Sequence, residues 1–363
     1  MAHKFKILIL GASYGSLLAT KLAMAGHHVT LVCLPHEADL INREGTTVRF
    51  PIRGRPILLE VRSRDLSGSI NAEIPKNVDL KKFDLVVLAM QEPQYGSEGV
   101  RHLMSSVARS KLPTMSIMNM PPMTFLRRMP GLNVDALRDC YTAPEVWDRF
   151  DPEVMTLCSP DPQAFRPPEE ALNLLQVTLP TNFKAAAFSQ DSDTSMLRSL
   201  QDDIEAVRFP TAEGPAEVPV KLKVYESLFV PTAKWAMLLT GNYRCVQKDG
   251  ACSIREAVHS DIEKSRAVYG WVQEVCLKLG AARADLVPFE KYAVAASGLT
   301  SPSSAARALF AGALNIERVD RLVHKIAAQF GMANPILDET VSAVDQRLEL
   351  NRVSRLSELT KTA

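Results

Sequence analysis

Two short stretches of this sequence carry residue types that could do chemistry. The first is Gly11-Ala12-Ser13-Tyr14-Gly15-Ser16, a turn of mostly small residues directly after the apolar run Phe5 to Leu10. A turn that opens a helix in this way presents backbone N–H groups and a partial positive charge, which suit a pyrophosphate. Against the pattern G-x-G-x-x-G, the first glycine is present, Ser13 and Ser16 stand at the second and third positions, and Gly15 comes one place early. The second stretch surrounds Lys234, the sole charge between Leu228 and Tyr243 in a run rich in Val, Ala, Trp, Met and Leu. Pro231 fits the first turn of a helix and places Lys234 near its start. Desolvation and the helix end both disfavour the ammonium, which suits a group that gives up a proton near neutrality. A lysine with a buried stem and a solvated amine fits the same pattern.

The elements that must position these residues follow from periodicity. Phe5 to Leu10 reads as a buried strand, Ser16 to Ala25 as a helix closed by Gly26, and His28 to Cys33 as a second strand, a βαβ unit. Further strands are expected at Val48 to Phe50, Ile57 to Arg62, Asp84 to Ala89 and Thr114 to Met118, with weaker ones at Val154 to Leu157 and Gln176 to Leu179. Helices are expected at Tyr95 to Ser110 and Met196 to Val207, so the first part of the chain is an open α/β sheet. Pro210 to Pro219 concentrates Pro and Gly as a linker does. Beyond it, Tyr225 to Thr240, Ile254 to Leu279, Pro288 to Ala296, Ser303 to Leu314, Ile316 to Phe330 and Leu337 to Leu350 read as helices. The expected plan is α/β: a doubly wound domain over residues 1–215, then an all-helical domain over 216–363.

Composition bounds the function. The chain has 363 residues, 46% hydrophobic and 23% charged, a globular balance with room for two domains. A net charge of +1 argues against a dedicated nucleic-acid binder. No apolar run reaches the ~20 residues of a membrane span, and no long apolar leader is evident, so a cytoplasmic protein is expected. Six cysteines show neither C-x-x-C nor metal-ligand spacing with His, and read as reduced thiols with no metal. Cys245 and Cys252 lie close in sequence, a neighbourhood read as chance.

In order along the chain, FKILILGASYGSLLATKLAMAGHHVTLVC, DLVVLAMQ, SIMNM, PTAKWAMLLTGN and SPSSAARALFAGALNIERVDRLVHKIAAQFGMANP resemble the ketopantoate reductase family. The most specific element is Lys234 with Asn242 eight residues later. The resemblance implies an N-terminal Rossmann-type domain, a helical C-terminal domain, and Lys234 as the proton donor to a carbonyl oxygen as NADPH delivers hydride to its carbon. It implies that Asn119 lies beside nicotinamide and substrate, although Met120 replaces the glycine that follows in the family. Gln91 stands where the family often has a lysine near the cofactor. Ser303 matches the serine that holds the substrate carboxylate, and Asn315 falls where an acidic residue binds the substrate hydroxyl, with Glu317 just beyond. Arg307 replaces an aspartate and, one helical turn from Ser303, could join it in holding a carboxylate.

Cofactor choice is less marked in the residues. The second strand ends Val32-Cys33-Leu34-Pro35-His36, without the Asp or Glu that selects NAD or an adjacent Arg that selects NADP. His36 and Arg43 are the nearest groups for a 2′-phosphate; NADP is the expectation and NAD stays open. The expected activity is reduction of a 2-oxoacid other than ketopantoate, and the apolar helical stripes suit a homodimer. Two alternatives accompany it. An opine-type dehydrogenase would need a His–Asp pair, for which His259 with Asp261 and His324 with Asp320 are the candidates. A non-catalytic dinucleotide sensor fits the altered turn.

Overall fold

The structure is a computed structural model describing residues 3–52, 54, 57–160 and 163–362, and the chain divides into two compact units. The first comprises Met1–Met90, Gln94–Arg128 and Glu145–Glu226; the second comprises Gln91–Pro93, Met129–Pro144 and Ser227–Ala363.

In the first unit the expected opening forms: β1 (Lys6–Leu10), α1 (Ala12–Met24) and β2 (His28–Val32). α2 (Pro35–Glu44) follows, a mostly polar helix beginning at a proline, and then the hairpin β3 (Thr47–Phe50) and β4 (Leu59–Arg62). β5 (Ser69–Glu73), β6 (Leu85–Leu88), α3 (Glu98–Ser110), β7 (Thr114–Ile117) and the short α4 (Met123–Leu126) come next. β8 (Met155–Pro160), β9 (Gln163–Phe165), β10 (Leu174–Leu179), β11 (Thr181–Ala186), α5 (Asp191–Ala206) and β12 (Val220–Tyr225) complete the unit.

Eight strands form one sheet in the order β12-β11-β8-β7-β6-β1-β2-β5. All neighbours run parallel except β11 against β8. The chain order reverses between β1 and β6, so this is a doubly wound sheet with its switch point after β1. A second sheet, β4-β3-β10-β9, covers the outer side of α1. Between two sheets α1 is buried nearly all round, which is why its sequence is apolar on every face. Lys21 is caught there, 1% exposed, with Nζ donating to Val218 O at 3.2 Å, and burial followed by nearby Arg208 pushes its pKa down to about 8.

Two expectations change here. The chain passes finally to the second unit after Glu226, not at 215/216, because β12 pairs with β11 and belongs to the large sheet. Pro210 to Pro219 is then a hairpin within the first unit, held by the Phe209–Ala216 bridge.

The second unit is helical beyond Ser227. A 3-10 turn (Val230–Ala233) leads into α6 (Lys234–Met237), a π-helical turn (Leu238–Asn242) and another 3-10 turn (Tyr243–Cys245). α7 (Ile254–His259) and α8 (Ile262–Leu279) follow, separate because Asp261 caps α8 through Lys264 N–H at 2.9 Å. α9 (Phe289–Ala296), α10 (Ser304–Phe310), α11 (Val319–Gln329) and the 28-residue α12 (Pro335–Thr362) complete it. Among the described residues, no helix is long and apolar enough to cross a membrane.

Candidate functional site

The first unit gathers its expected residues on one sheet edge. β2, β1, β6 and β7 are parallel neighbours, so His36, Gly11, Met90 and Asn119, which follow their carboxyl ends, share that edge. Gly11 has φ +106°, and a Cβ there would lie 2.6 Å from Met90 Cγ and 2.7 Å from the Ala89 carbonyl oxygen. Only glycine lets the chain turn this closely over β6. α1 starts at once, with no side chain capping its N-terminus. A Cβ on Gly15 would come 2.7 Å from Ile9 Cγ2, so that glycine seats the helix on β1, the packing role of the third glycine in the dinucleotide pattern. Ser16 is buried and donates to Ser13 O at 2.8 Å, Ala12 is buried, and Tyr14 is the exposed member of the turn.

Asn119 is half-buried, and its Oδ1 is buried with no hydrogen-bond partner among the described residues. An orphaned acceptor after β7 and an uncapped helix N-terminus after β1, on the same edge of the sheet, fit a carboxamide and a pyrophosphate. Gly11, Ala12, Ser13, Tyr14, Gly15, Ser16 and Asn119 are therefore the residues here that could hold a nicotinamide dinucleotide. His36 is exposed in the first turn of α2. Beside it sits a residue that sequence reasoning missed: Arg166, which follows β9 and pairs with Glu37 of α2. No local signal reveals that pair, since its members are 129 positions apart. Gln91 is exposed and falls, with Glu92 and Pro93, in the second unit.

In the second unit Lys234 opens α6, behind Pro231 as expected. Eight residues of α-helix turn through about 800°, which would leave Asn242 about 80° around from Lys234. The π-turn acts as one inserted residue and takes back about 100°, bringing the two to within about 20° of one face. Exposure agrees: Lys234, Met237 and Asn242 are half-buried, whereas Trp235, Ala236 and Leu238 to Gly241 are buried. Tyr292 of α9 secures the turn by donating its hydroxyl to Met237 O at 3.0 Å. A Cβ on Gly241 would meet that hydroxyl oxygen at 2.1 Å, so the glycine makes room for it. Tyr292→Phe is expected to lower unfolding free energy by about 1–3 kcal/mol, because it strands a buried carbonyl. Urea denaturation checks this, and an unchanged midpoint contradicts it.

Asn242 and Ser303 meet, through the backbone. Ser303 is 2% exposed, donates Oγ–H to Asn242 O at 2.6 Å, and caps α10 by accepting from Ala306 N–H at 3.1 Å. The expected partnership of Ser303 with Arg307 does not form: Arg307 is exposed and bends back to Pro302 O at 2.5 Å. Capping turns Ser303 inward while Arg307 takes the solvated face of α10. Asn315 is also exposed, in the segment between α10 and α11.

Glu317 is half-buried; its backbone carbonyl accepts from Tyr243 Oη at 2.5 Å and its carboxylate from Glu92 N–H at 3.3 Å. Glu92, buried and unforeseen, accepts in turn from Thr142 N–H at 3.0 Å. Burial pushes the phenols of Tyr141 and Tyr243 well above their usual range. Neither candidate His–Asp pair exists: His259 bonds to Ala293 O at 3.0 Å, His324 pairs with Asp338, and Asp320 is locked to Arg318.

No protein-family model and no curated relative matches this sequence. Solved structures do. The ternary structure of D-mandelate dehydrogenase with NADH and anilino(oxo)acetate is 14% identical over 96% of this chain and 99% of that one, with a TM-score of 0.64. The 2-dehydropantoate 2-reductase from Methylococcus capsulatus is 13% identical over 99% and 98%, TM-score 0.62. The dimeric ketopantoate reductase from Staphylococcus aureus is 10% identical over 95% and 99%, TM-score 0.57. In fold, then, the chain is like the ketopantoate reductases and D-mandelate dehydrogenase along nearly its whole length.

Proposed function

We propose that this protein is an NAD(P)H-dependent reductase of a 2-oxoacid-like substrate, with Lys234 as proton donor. The observation that carries this reading is the half-buried face shared by Lys234 and Asn242, held by a π-turn and a dedicated tyrosine. The dinucleotide, when bound, supplies a hydride to a carbonyl carbon. Lys234 stabilises the charge that develops on the carbonyl oxygen and then protonates it. Asn242 offers an amide to the substrate, and Ser303 acts by fixing the Asn242 backbone rather than by direct contact. Asn119 orients the carboxamide with its unsatisfied acceptor.

NADPH is the proposed reductant. His36 and Arg166 place two basic side chains near the carboxyl end of β2, where a 2′-phosphate would be met. Arg307 and Asn315, both exposed, stand as proposed contacts for a polar extension of the substrate. A cytoplasmic homodimer belongs to the same reading, supported by six free thiols and by the exposed stripe Leu350, Val353 and Leu356 on α12. His259 bonds to a backbone carbonyl instead of Asp261, and His324 pairs on an exposed surface with Asp338 instead of Asp320, which weighs against the opine-type alternative.

Fluorescence titration with NADPH and NADH, followed by a panel of 2-oxoacids monitored by dinucleotide oxidation, tests the proposal. Binding of both with NADPH tighter, and turnover of at least one oxoacid, is expected. Binding without turnover selects the sensor alternative, and no binding of either dinucleotide overturns the reading.

A further inference from the structure

The chain leaves the Lys234 helix through a tight hairpin. Val246 and Ala251 form an antiparallel bridge, Gln247 N–H donates to Gly250 O at 3.0 Å, and Cys252 N–H donates to Cys245 O at 3.1 Å. That pattern sets Cys245 directly opposite Cys252 with both side chains on one face. Opposed residues joined by backbone hydrogen bonding have Cα atoms about 5.5 Å apart, inside the ~4.4–6.8 Å that a disulfide spans. The Cys252 thiol is held beside the end of the Lys234 helix, its S–H donating to Arg244 O at 3.8 Å. Cys245 is fully buried and Cys252 half-buried, so reagents reach Cys252 first. The Gln247 side-chain amide also donates to Cys252 Sγ, at 3.2 Å.

We propose that Cys245 and Cys252 are a reversible oxidation site at which a low-molecular-weight disulfide converts two thiols into one cross-strand disulfide. The Cys252 thiolate attacks one sulfur of oxidised glutathione and releases one glutathione thiolate. The Cys245 thiol then loses its proton, attacks the mixed disulfide at Cys252 and expels the second glutathione. Two protein thiols give up two electrons, and one glutathione disulfide becomes two glutathione thiols. Burial pushes the Cys245 thiol up to about 11; burial and then Glu256 raise Cys252, which Arg244 opposes. Exchange is therefore slow at neutral pH and is scored in mildly alkaline buffer.

The site bears on the Lys234 helix. Cys245 lies three residues beyond Asn242, whose carbonyl the Ser303 hydroxyl holds at 2.6 Å, so the disulfide forms next to the clasp between that helix and α10. The inference stands whether or not the chain is a reductase.

The test incubates the native full chain with oxidised glutathione, then quenches, alkylates in denaturant and digests with trypsin. Cleavage after Arg244, Lys248 and Arg255 separates Cys245–Lys248 from Asp249–Arg255. The expected product is those two peptides joined, about 2 Da lighter than their sum and released by dithiothreitol, with the other four of the six cysteines alkylated. Cys252→Ser gives no joined peptide and leaves Cys245 reduced. A glutathione adduct that persists on Cys252 without cross-linking, or full alkylation of both peptides, overturns the proposal.

Discussion

Lys234→Ala is expected to lower kcat on the best substrate by about 10²–10⁴-fold while leaving dinucleotide affinity unchanged, the range for loss of a positioned acid. The residue belongs to the second unit, whereas the glycine turn and Asn119 belong to the first, so the substitution removes no group of the dinucleotide cradle. Lys234 is half-buried at the start of α6, so alanine loses the ammonium and leaves the buried side of the helix intact. Lys234→Arg separates two contributions. It keeps a positive charge at the developing alkoxide, but guanidinium holds its proton too firmly to deliver it near neutrality. Partial rescue is expected in kcat, with KM closer to the native value. Steady-state kinetics beside a dinucleotide titration measures both, and a kcat within threefold of native for Lys234→Ala refutes the assigned role.

Gly11→Ala is expected to cost about 2–6 kcal/mol of stability and to weaken dinucleotide binding more than about tenfold. Two penalties add at this position. A backbone at φ +106° strains any residue with a Cβ, by about 1–3 kcal/mol. The new methyl also falls 2.7 Å from the Ala89 carbonyl oxygen, a rigid backbone atom, and overpacking of that kind costs about 1–3 kcal/mol more. Relief requires β1 and β6 to separate at the sheet's switch point, where the pyrophosphate would sit. Gly99→Ala is the matched control. It lies in α3 with, among the described residues, nothing beyond its chain neighbours and its own helix backbone within 4 Å of its Cβ position, and there alanine should add up to about 1 kcal/mol through helix propensity. Urea denaturation of both variants, with NADPH titration of whatever folds, decides the matter. Equal midpoints for Gly11→Ala and native protein contradict the close-approach argument.

The parts of this fold that were legible are those whose burial is written locally. β1, β6 and β7 are covered on both faces and read as unbroken apolar runs, and α1 announces itself through length and the glycine before it. β5 (SINAE), β11 (TNFKAA) and β12 (VKLKVY) went unread because they lie toward the sheet's ends and alternate polar with apolar residues over a short length. α2 was missed because ten residues, mostly polar and begun by proline, carry little periodic signal. β12 is also why the helix expected from Tyr225 starts only near Val230.

The candidate site divides in the same way. Lys234 and the Gly11 turn stand out by residue type in a contrasting local context. Ser303 and Arg307 were placed together on spacing alone, but an N-cap serine turns toward its own helix end while a residue one turn on stays on the surface. Glu92, Arg166 and Tyr292 have partners 225, 129 and 55 positions away, and no local pattern encodes such pairings. Cys245 and Cys252 are close in sequence, yet only the adjacent Val246–Ala251 bridge and the Cys252 N–H to Cys245 O bond, which set them opposite one another, make their proximity chemical.

The most direct test is a single-turnover stopped-flow measurement with enzyme in excess over NADPH and a saturating 2-oxoacid from the panel. Native protein should oxidise the bound NADPH in one phase, while Lys234→Ala should bind it with equal affinity and oxidise it at least a hundredfold more slowly. Equal oxidation rates in the two proteins, or no oxidation by the native protein with any oxoacid, would contradict the account.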